Sequence, residues 1–274
     1  LYSTHAHVNT LLCFLRRINL VKSKKLVLRE SSILSERFSG FKKILIDLLY
    51  LPYGNQDLLI CQTSLMQERL LSHRGKRIST NSRVIPNPVN LDEIRHLSLE
   101  SKDLDKCQDF NIIMVGRLIP IKNHKLVLKA LSEIIGKFKL TIVGDGELRN
   151  ELTKLCELYD LSDKVELIGN VKNPYKYMAR ADLGIISSFS EGFPNVLLEM
   201  MAAGTKNIVI TPCTGDLCLI PNLNILDGFS VKEMKEVLIG SIDNPISHQN
   251  NYQTFIESRD IKNYWERIKN VIEI

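Results

Sequence analysis

Beyond residue 108 the apolar positions fall in short, β-rich runs, FNIIMVG, KLTIVG, KVELIG, LGIIS and NIVIT, separated by stretches with helical spacing. Runs that are apolar at consecutive positions have no face left for water, which is the pattern of a parallel sheet covered on both sides. Between the first two runs Leu126, Val127, Ala130, Leu131, Ile134 and Ile135 recur with a helical period, and Gly136 supplies a stop. ELRNELTKLCELYD places Leu148, Leu152 and Leu155 on one stripe, and PYKYMARAD reads as a short helix opened by Pro174. Residues 109–252 are therefore expected to form a doubly wound α/β domain.

Residues 1–92 read as the second half of a similar unit. A polar start leads into the helix VNTLLCFLRRI, the strand KKLVLRE, the apolar helix FKKILIDLLYL, the strand DLLICQ and a further helix. RVIPNPVNLDEI is rich in turn signals and predicts a crossing between domains, with residues 93–108 as the linker. Residues 253–274 predict a closing helix, anchored by Trp265, that packs back on the first domain. A Rossmann-like half normally opens on its own strand and glycine-rich turn, so the first domain is expected to be incomplete at its N-terminus. FKKILIDLLYL is apolar nearly all round, which favours a core helix with Lys42 and Lys43 at its basic end. The competing reading is a helix lying on a membrane.

Composition narrows the picture only a little. With 44% hydrophobic and 24% charged residues in 274, disordered and fibrous classes drop out. The six cysteines are scattered without C-x-x-C spacing, so neither a zinc site nor a disulfide framework is expected, and reduced thiols fit a cytoplasmic setting. No run reaches the length of a membrane span. The net charge of +5 is uneven: residues 1–100 carry 15 Lys and Arg against 8 Asp and Glu, while the remainder is slightly acidic. A basic first third is compatible with nucleic acid, an anionic membrane surface or a phosphorylated substrate.

The candidate chemistry lies where strands end. In MVGRLIPIKNH a strand ends at Gly116, with Arg117 and Lys122 just before a helix. That is the ligand crevice of a doubly wound sheet, and two cations there are suited to a diphosphate, although ordinary solvated loop cations give the same pattern. IVGDGELRN has two glycines but neither the third nor the ribose acid of a dinucleotide fingerprint, so Gly144 and Gly146 read as a tight turn with close backbone approach. SSFSEGFPNVLLEMMAAG puts Gly192, Phe193 and Pro194 before a helix whose first N–H groups, from Asn195 and Val196 onward, point towards the same crevice. Glu191 would face the outer end of a ligand there. Glu199 sits among Val196, Leu197, Leu198, Met200 and Met201, a costly place for a charge without a purpose. A carboxylate accepts two adjacent hydroxyls well, as from a ribose.

Taken in order, RVIPNPVNLDEI, VGRLIPIKNH, IVGDGELRN, VELIGNV and SSFSEGFPNVLLEMMAAG resemble the retaining glycosyltransferases of family 4, over about residues 57 to 220. The resemblance implies the GT-B fold, two Rossmann-like domains facing a cleft, with a nucleotide-sugar donor held mainly by the C-terminal one. It implies that Arg117 and Lys122 bind the donor diphosphate and stabilise its departure in place of a metal. Gly116 and Gly144 then border the donor, Glu199 binds the ribose, and Glu191 with the loop of Gly192, Phe193, Pro194, Asn195 and Val196 contacts the transferred sugar. Retention by front-side attack makes Arg117 and Lys122 catalytic as well as binding residues, with Glu191 and Glu30 the further catalytic candidates. Where the family often has a His after an N-terminal strand, this sequence has Arg29 and Glu30, so Glu30 is expected to face acceptor or sugar. His7 and Asn9, in STHAHVN, are the matching acceptor-side candidates, with a pair of surface histidines as the plain alternative.

The function expected is transfer of a sugar from a nucleotide-diphosphate sugar, with UDP the expected nucleotide, to a saccharide or polyprenyl-linked saccharide acceptor in surface glycan synthesis. No cofactor or metal is implied, the nucleotide-sugar being a substrate. The expected location is cytoplasmic, with peripheral contact at the inner face of the membrane through the basic N-terminal region. The alternative is a nucleotide-sugar-binding remnant without transfer activity. A nucleic-acid partner is not supported, because no recognition motif accompanies the charge. An epimerase sharing the nucleotide cleft is a weaker option.

Overall fold

The computed structural model describes residues 1–31, 40–74, 81–103 and 109–272 and divides the chain into two compact units, each built on a parallel sheet. The first comprises Leu1–Pro88, Thr214–Asp216 and Ile261–Ile274, the second Val89–Cys213 and Leu217–Asp260.

In the first unit β1 (Tyr2–Ser3), β2 (Val27–Arg29), β3 (Leu58–Cys61) and β4 (Ser82–Val84) lie side by side in chain order, all parallel. Helices α1 (Ala6–Arg17), α2 (Gly40–Leu49) and α3 (Ser64–Arg74) make the crossovers. The two-residue period of a strand sorts the core into layers. Leu28, Leu59 and Cys61 pack with Cys13, Tyr50, Tyr53, Met66 and Leu70, whereas Val27, Leu58 and Ile60 pack on the opposite side with Ile85, Tyr264 and Ile268.

The second unit opens with α4 (Leu91–Ser98), capped by Asn90, whose side chain accepts from the Glu93 N–H while Glu93 Oε2 accepts from Asn90 Nδ2. Then follow β5 (Phe110–Val115), α5 (His124–Leu131), β6 (Phe138–Val143), α6 (Arg149–Leu158), β7 (Val165–Gly169), α7 (Tyr175–Met178), β8 (Leu183–Ile186), α8 (Asn195–Ala203), β9 (Asn207–Ile210), β10 (Asn224–Ile225), α9 (Val231–Asp243) and α10 (Gln249–Glu257). The sheet order is β10-β9-β8-β5-β6-β7, all parallel. From β5 the chain builds outward in one direction and from β8 in the other, so the order reverses between these two strands. Their carboxyl ends form the switch point at which an open α/β sheet leaves a crevice. Ile112, Met114, Leu140, Ile142, Leu183 and Ile185 face α5, α6 and α9, while Ile113, Val143, Ile186, Ile208 and Ile210 face α4, α7, α8 and α10.

Several expectations are revised. Residues 93–103 are not a bare linker, because α4 buries Leu91 and Ile94 in the second unit's core. The closing stretch divides: Tyr252 and Ile256 bury α10 in the second unit, and only the last helix, α11 (Ile261–Ile272), belongs to the first. On α11 it is Tyr264 and Ile268 that are buried, while Trp265 is 40% exposed and set edge-on against Tyr2. Helix α5 stops at Leu131, and Ile135 is fully exposed. FKKILIDLLYL is not a core helix on all sides, since Phe41, Ile44, Leu45 and Leu48 are exposed. No described helix is long and apolar enough to cross a membrane.

Candidate functional site

At the switch point three strand-end loops are knitted by backbone hydrogen bonds. Gly116 N–H donates to Val143 O (2.9 Å), Leu118 N–H to Asp145 O (3.0 Å) and Gly144 N–H to Gly169 O (2.8 Å). Such close approach excludes side chains. A Cβ on Gly144, whose φ is +136°, would lie 2.0 Å from Gly116 O, and one on Gly146 would lie 2.6 Å from Leu118 O. The weak glycine pair of the sequence is thus a packing device that sets the floor of the crevice.

Over this floor stands the chain's central polar cluster. Lys122 packs its stem against Gly116 and donates from Nζ to Glu191 Oε1 at 2.6 Å, and Ser188 Oγ donates to the same oxygen at 2.8 Å. Both charged side chains are about one-fifth exposed, so the pair is open enough to be reached and sheltered enough to matter. Ser187 Oγ donates to Lys122 O (2.8 Å) and Phe189 N–H to Ile121 O (2.8 Å), fastening the loop after β8 to the loop after β5. Glu191 N–H donates to Cys213 O (2.7 Å), and burial followed by the Glu191 charge pushes the Cys213 thiol up to about 12. Arg117 is exposed, and among the described residues no ion-pair partner holds it.

Beneath Lys122 lies His124, 2% exposed, whose Nδ1 has no hydrogen-bond partner among the described residues. Burial first, and the Lys122 charge second, lower its pKa to about 4, so the ring is neutral near pH 7. It borders a cavity of about 10 Å³, shared with Lys122, Ser187, Ser188 and Val196 and comparable to a single water.

Helix α8 begins after Pro194 with no side-chain cap. Phe193 and Pro194 are buried, Gly192 and Val196 half-buried, and Asn195 exposed. One turn on from Asn195, Glu199 is half-buried, and among the described residues its carboxylate has no hydrogen-bond or ion-pair partner. Burial raises its pKa, and its charge in turn helps to raise that of Tyr175, after burial itself. A carboxylate kept at this cost is available to accept hydroxyl hydrogen bonds.

In the first unit the residues expected on the acceptor side are differently placed. His7 is exposed beside His5. Asn9 is fully buried and donates from Nδ2 to Glu30 Oε1 (3.1 Å) and Arg29 O (3.2 Å). Glu30 is 1% exposed, with Tyr53 Oη donating to Oε1 at 2.6 Å and Tyr50 Oη at 3.5 Å from Oε2. This corrects the expectation that Glu30 faces a ligand: with Asn9 Nδ2 it joins β2, α1 and the turn after α2 inside the unit, while Asn9 Oδ1 is buried with no hydrogen-bond partner among the described residues. Burial and the Glu30 carboxylate push the Tyr53 hydroxyl far up, so it stays a donor.

Sequence reasoning missed Ser187, Ser188 and His124. The serines were signalled by two small hydroxyls directly after an apolar strand, whereas nothing in the sequence marks the His124 ring as buried. Among the described residues no group of three His, Cys, Asp or Glu side chains comes together as a metal site.

Comparison with known proteins fits this geometry. Residues 100–260 match the model of the family described as glycosyl transferases group 1. An uncharacterized glycosyltransferase, MJ1059 of Methanocaldococcus jannaschii, is 31% identical over 208 residues, covering 73% of this chain and 51% of the relative. A Campylobacter jejuni enzyme named N-acetylgalactosamine-N,N'-diacetylbacillosaminyl-diphospho-undecaprenol 4-alpha-N-acetylgalactosaminyltransferase is 40% identical over 119 residues, covering 43% of this chain and 32% of the relative. The chain therefore spans about half or less of the length of these relatives. Among solved structures, Anabaena Alr3699/HepE in complex with UDP superposes with a TM-score of 0.85 at 18% identity, covering 99% of this chain and 78% of that one. WaaG, a glycosyltransferase involved in lipopolysaccharide biosynthesis, gives 0.75 at 17% identity, covering 96% and 80%. These likenesses establish the GT-B fold, and with the family match over more than half of its residues the chain belongs to the glycosyl transferases group 1 family.

Proposed function

We propose that the second unit binds a nucleotide-diphosphate sugar, with UDP as the nucleotide, and that the protein transfers the sugar, with retention, to a saccharide or polyprenyl-linked saccharide in surface glycan synthesis. The observation that carries this reading is the half-buried, unpartnered Glu199 on α8, the helix that follows the loop whose Glu191 is paired with Lys122. Glu199 accepts from the two ribose hydroxyls, which offset its desolvation. Arg117 and Lys122 hold the diphosphate, and the backbone at the start of α8 meets its sugar side.

The chemistry asked of these residues is chiefly electrostatic. As the bond from the anomeric carbon to the phosphate oxygen breaks, negative charge grows on the leaving diphosphate, and the two cations stabilise it where it develops. The acceptor oxygen bonds to the anomeric carbon on the face the phosphate leaves, and its proton passes to a phosphate oxygen. Glu191, freed from Lys122, is within the site to accept hydroxyls of the transferred sugar. No metal enters this scheme, because the paired cations do the same work. Two comparisons support it: a structural neighbour binds UDP, and a relative's name places a sugar on an undecaprenyl-linked acceptor. The same acceptor chemistry supports a cytoplasmic location at the inner face of the membrane.

Thermal unfolding with UDP, GDP and UDP-sugars tests the donor site. UDP at a hundredfold over its Kd stabilises the fold by about 2.7 kcal/mol, and Lys122→Ala and Glu199→Ala each remove most of that stabilisation. A chain that melts cooperatively but responds to no nucleotide overturns the reading.

A further inference from the structure

We propose that His124 is a positioning residue for Lys122 and acts through one water held between the two side chains. The inference deepens the reading in which Lys122 holds a diphosphate and rests on it for its purpose, whereas its geometry comes from the junction of β5 and α5 alone. That junction is tightly specified. Pro120–Lys122 make a single tight turn, Asn123 is left-handed at a φ of +50°, and His124 is the first residue of α5. Ser187 Oγ donates to Lys122 O at 2.8 Å, with Asn123 O 3.1 Å away, so the backbone at this kink is clamped to the end of β8. Lys122 and His124, on either side of the kink, line the same cavity of about 10 Å³.

The walls of this cavity choose its occupant. Apolar side chains of β5, β8 and α8 surround it, and Lys122, His124, Ser187 and Ser188 are its polar lining. The volume suits one water and nothing larger. His124 Nδ1 is buried and has no hydrogen-bond partner among the described residues, so the ring brings an unsatisfied atom to this junction. The Ser187 and Ser188 hydroxyls direct their hydrogens to Lys122 O and Glu191 Oε1, which leaves their lone pairs free to accept. Lys122 Nζ gives one of its three hydrogens to Glu191 and keeps two. Lys122 repels a cation and Glu191 an anion, whereas a water donates and accepts and so suits either tautomer of the neutral ring.

The purpose of the water emerges when the ligand enters. Before that, Glu191 holds the Lys122 ammonium at 2.6 Å. Once diphosphate oxygens take the place of Glu191, Lys122 has lost the fixed side-chain partner it has among the described residues, and the water on His124 keeps the ammonium directed. His124 is 2% exposed, so it acts on the ligand only through Lys122.

Two substitutions separate this role from packing. His124→Phe keeps an aromatic ring and removes its polar edge, whereas His124→Asn keeps a polar atom at the place of Nδ1. By NMR, the wild type is expected to show a cross-peak between a long-lived water and the His124 ring. In Glu191→Gln protein, where the ion pair is gone, the Lys122 ammonium signal is expected to stay sharp with His124 and to broaden with His124→Phe. With UDP release from UDP-N-acetylgalactosamine and UDP-glucose as the assay, His124→Phe is expected to lower kcat about tenfold and to leave KM within about threefold, because charge on the leaving phosphate grows only in the transition state. His124→Asn is expected to stay within about threefold of wild type in both. Thermal melting of each variant is the control for folding. A His124 ring without a bound water, or His124→Phe releasing UDP as wild type does, overturns the proposal. So does an equal loss of kcat in both variants, which would make His124 a packing residue only. If the wild type turns over neither UDP-sugar, the reading of the reaction fails, while the water cross-peak and the Lys122 signal still sustain or overturn this proposal.

Discussion

Each unit keeps buried or half-buried carboxylates in the segments that follow its strands, and the difference between them separates structure from chemistry. In the first, Glu30 is sealed among Asn9, Tyr50 and Tyr53, and these bonds hold elements of the unit together. In the second, Glu199 is half-exposed and has no partner among the described residues, while Glu191 shares Lys122 at an accessible crevice. A buried charge that is satisfied serves the fold; one left partly desolvated and unsatisfied is set aside for a ligand.

The largest way to break that comparison acts on the floor of the crevice. Gly144→Ala forces a Cβ onto Gly116 O at a positive φ, and the expected loss is about 4 kcal/mol of unfolding free energy by urea denaturation. Next comes Lys122→Ala, expected to lower sugar transfer by about a hundredfold to a thousandfold while Tm moves by only a few degrees. A comparable fall in stability would make Lys122 structural and blur the contrast.

The His124 ring sharpens the comparison through pH. Its folded pKa, about 4, lies below the unfolded value near 6.5. The unfolded chain therefore takes up the proton first, and stability is fully present above pH 6.5 and falls as the pH drops towards 4. The loss approaches about 3 kcal/mol, and His124→Gln is expected to flatten that part of the urea-denaturation profile. The smallest effects come from the two carboxylates themselves. Glu30→Gln is expected to cost about 2 kcal/mol of stability without changing nucleotide affinity. Glu199→Gln is expected to weaken UDP binding about tenfold, while Tm stays level or rises by the equivalent of about 1 kcal/mol. An exchange of those two outcomes would reverse the assignments.

Much of the second unit was legible because its strands are apolar at consecutive positions, and only a sheet covered on both faces tolerates that. The motifs that place Arg117, Lys122, Glu191 and Glu199 lie at strand ends and helix starts, where the switch-point rule applies directly. The failures have a common physical origin. Glu30 and Asn9 were assigned by position in a motif, but partners supplied by Tyr50 and Tyr53 from a distant stretch decide what a carboxylate does. Helix α2 was read as core because an apolar residue looks the same in sequence whether it meets a sheet or water. His124 was overlooked because its burial is created by packing around β5 and β8, not by its immediate neighbours in the chain.

One feature of the crevice bears on selectivity. Since Lys122 already has a carboxylate at 2.6 Å, its positive charge is compensated before any ligand arrives. Entry of the proposed donor is therefore an exchange, in which phosphate oxygens displace Glu191 while the Ser188 hydroxyl remains beside the released carboxylate. Chloride or a lone inorganic phosphate gains little from such a trade, having no pair of sugar hydroxyls to offer Glu191 or Glu199 in return. A diphosphate that carries a ribose at one end and a sugar at the other satisfies Glu199 with the first and the released Glu191 with the second, so the internal counter-anion weighs against simple anions and favours the nucleotide-sugar over UDP alone.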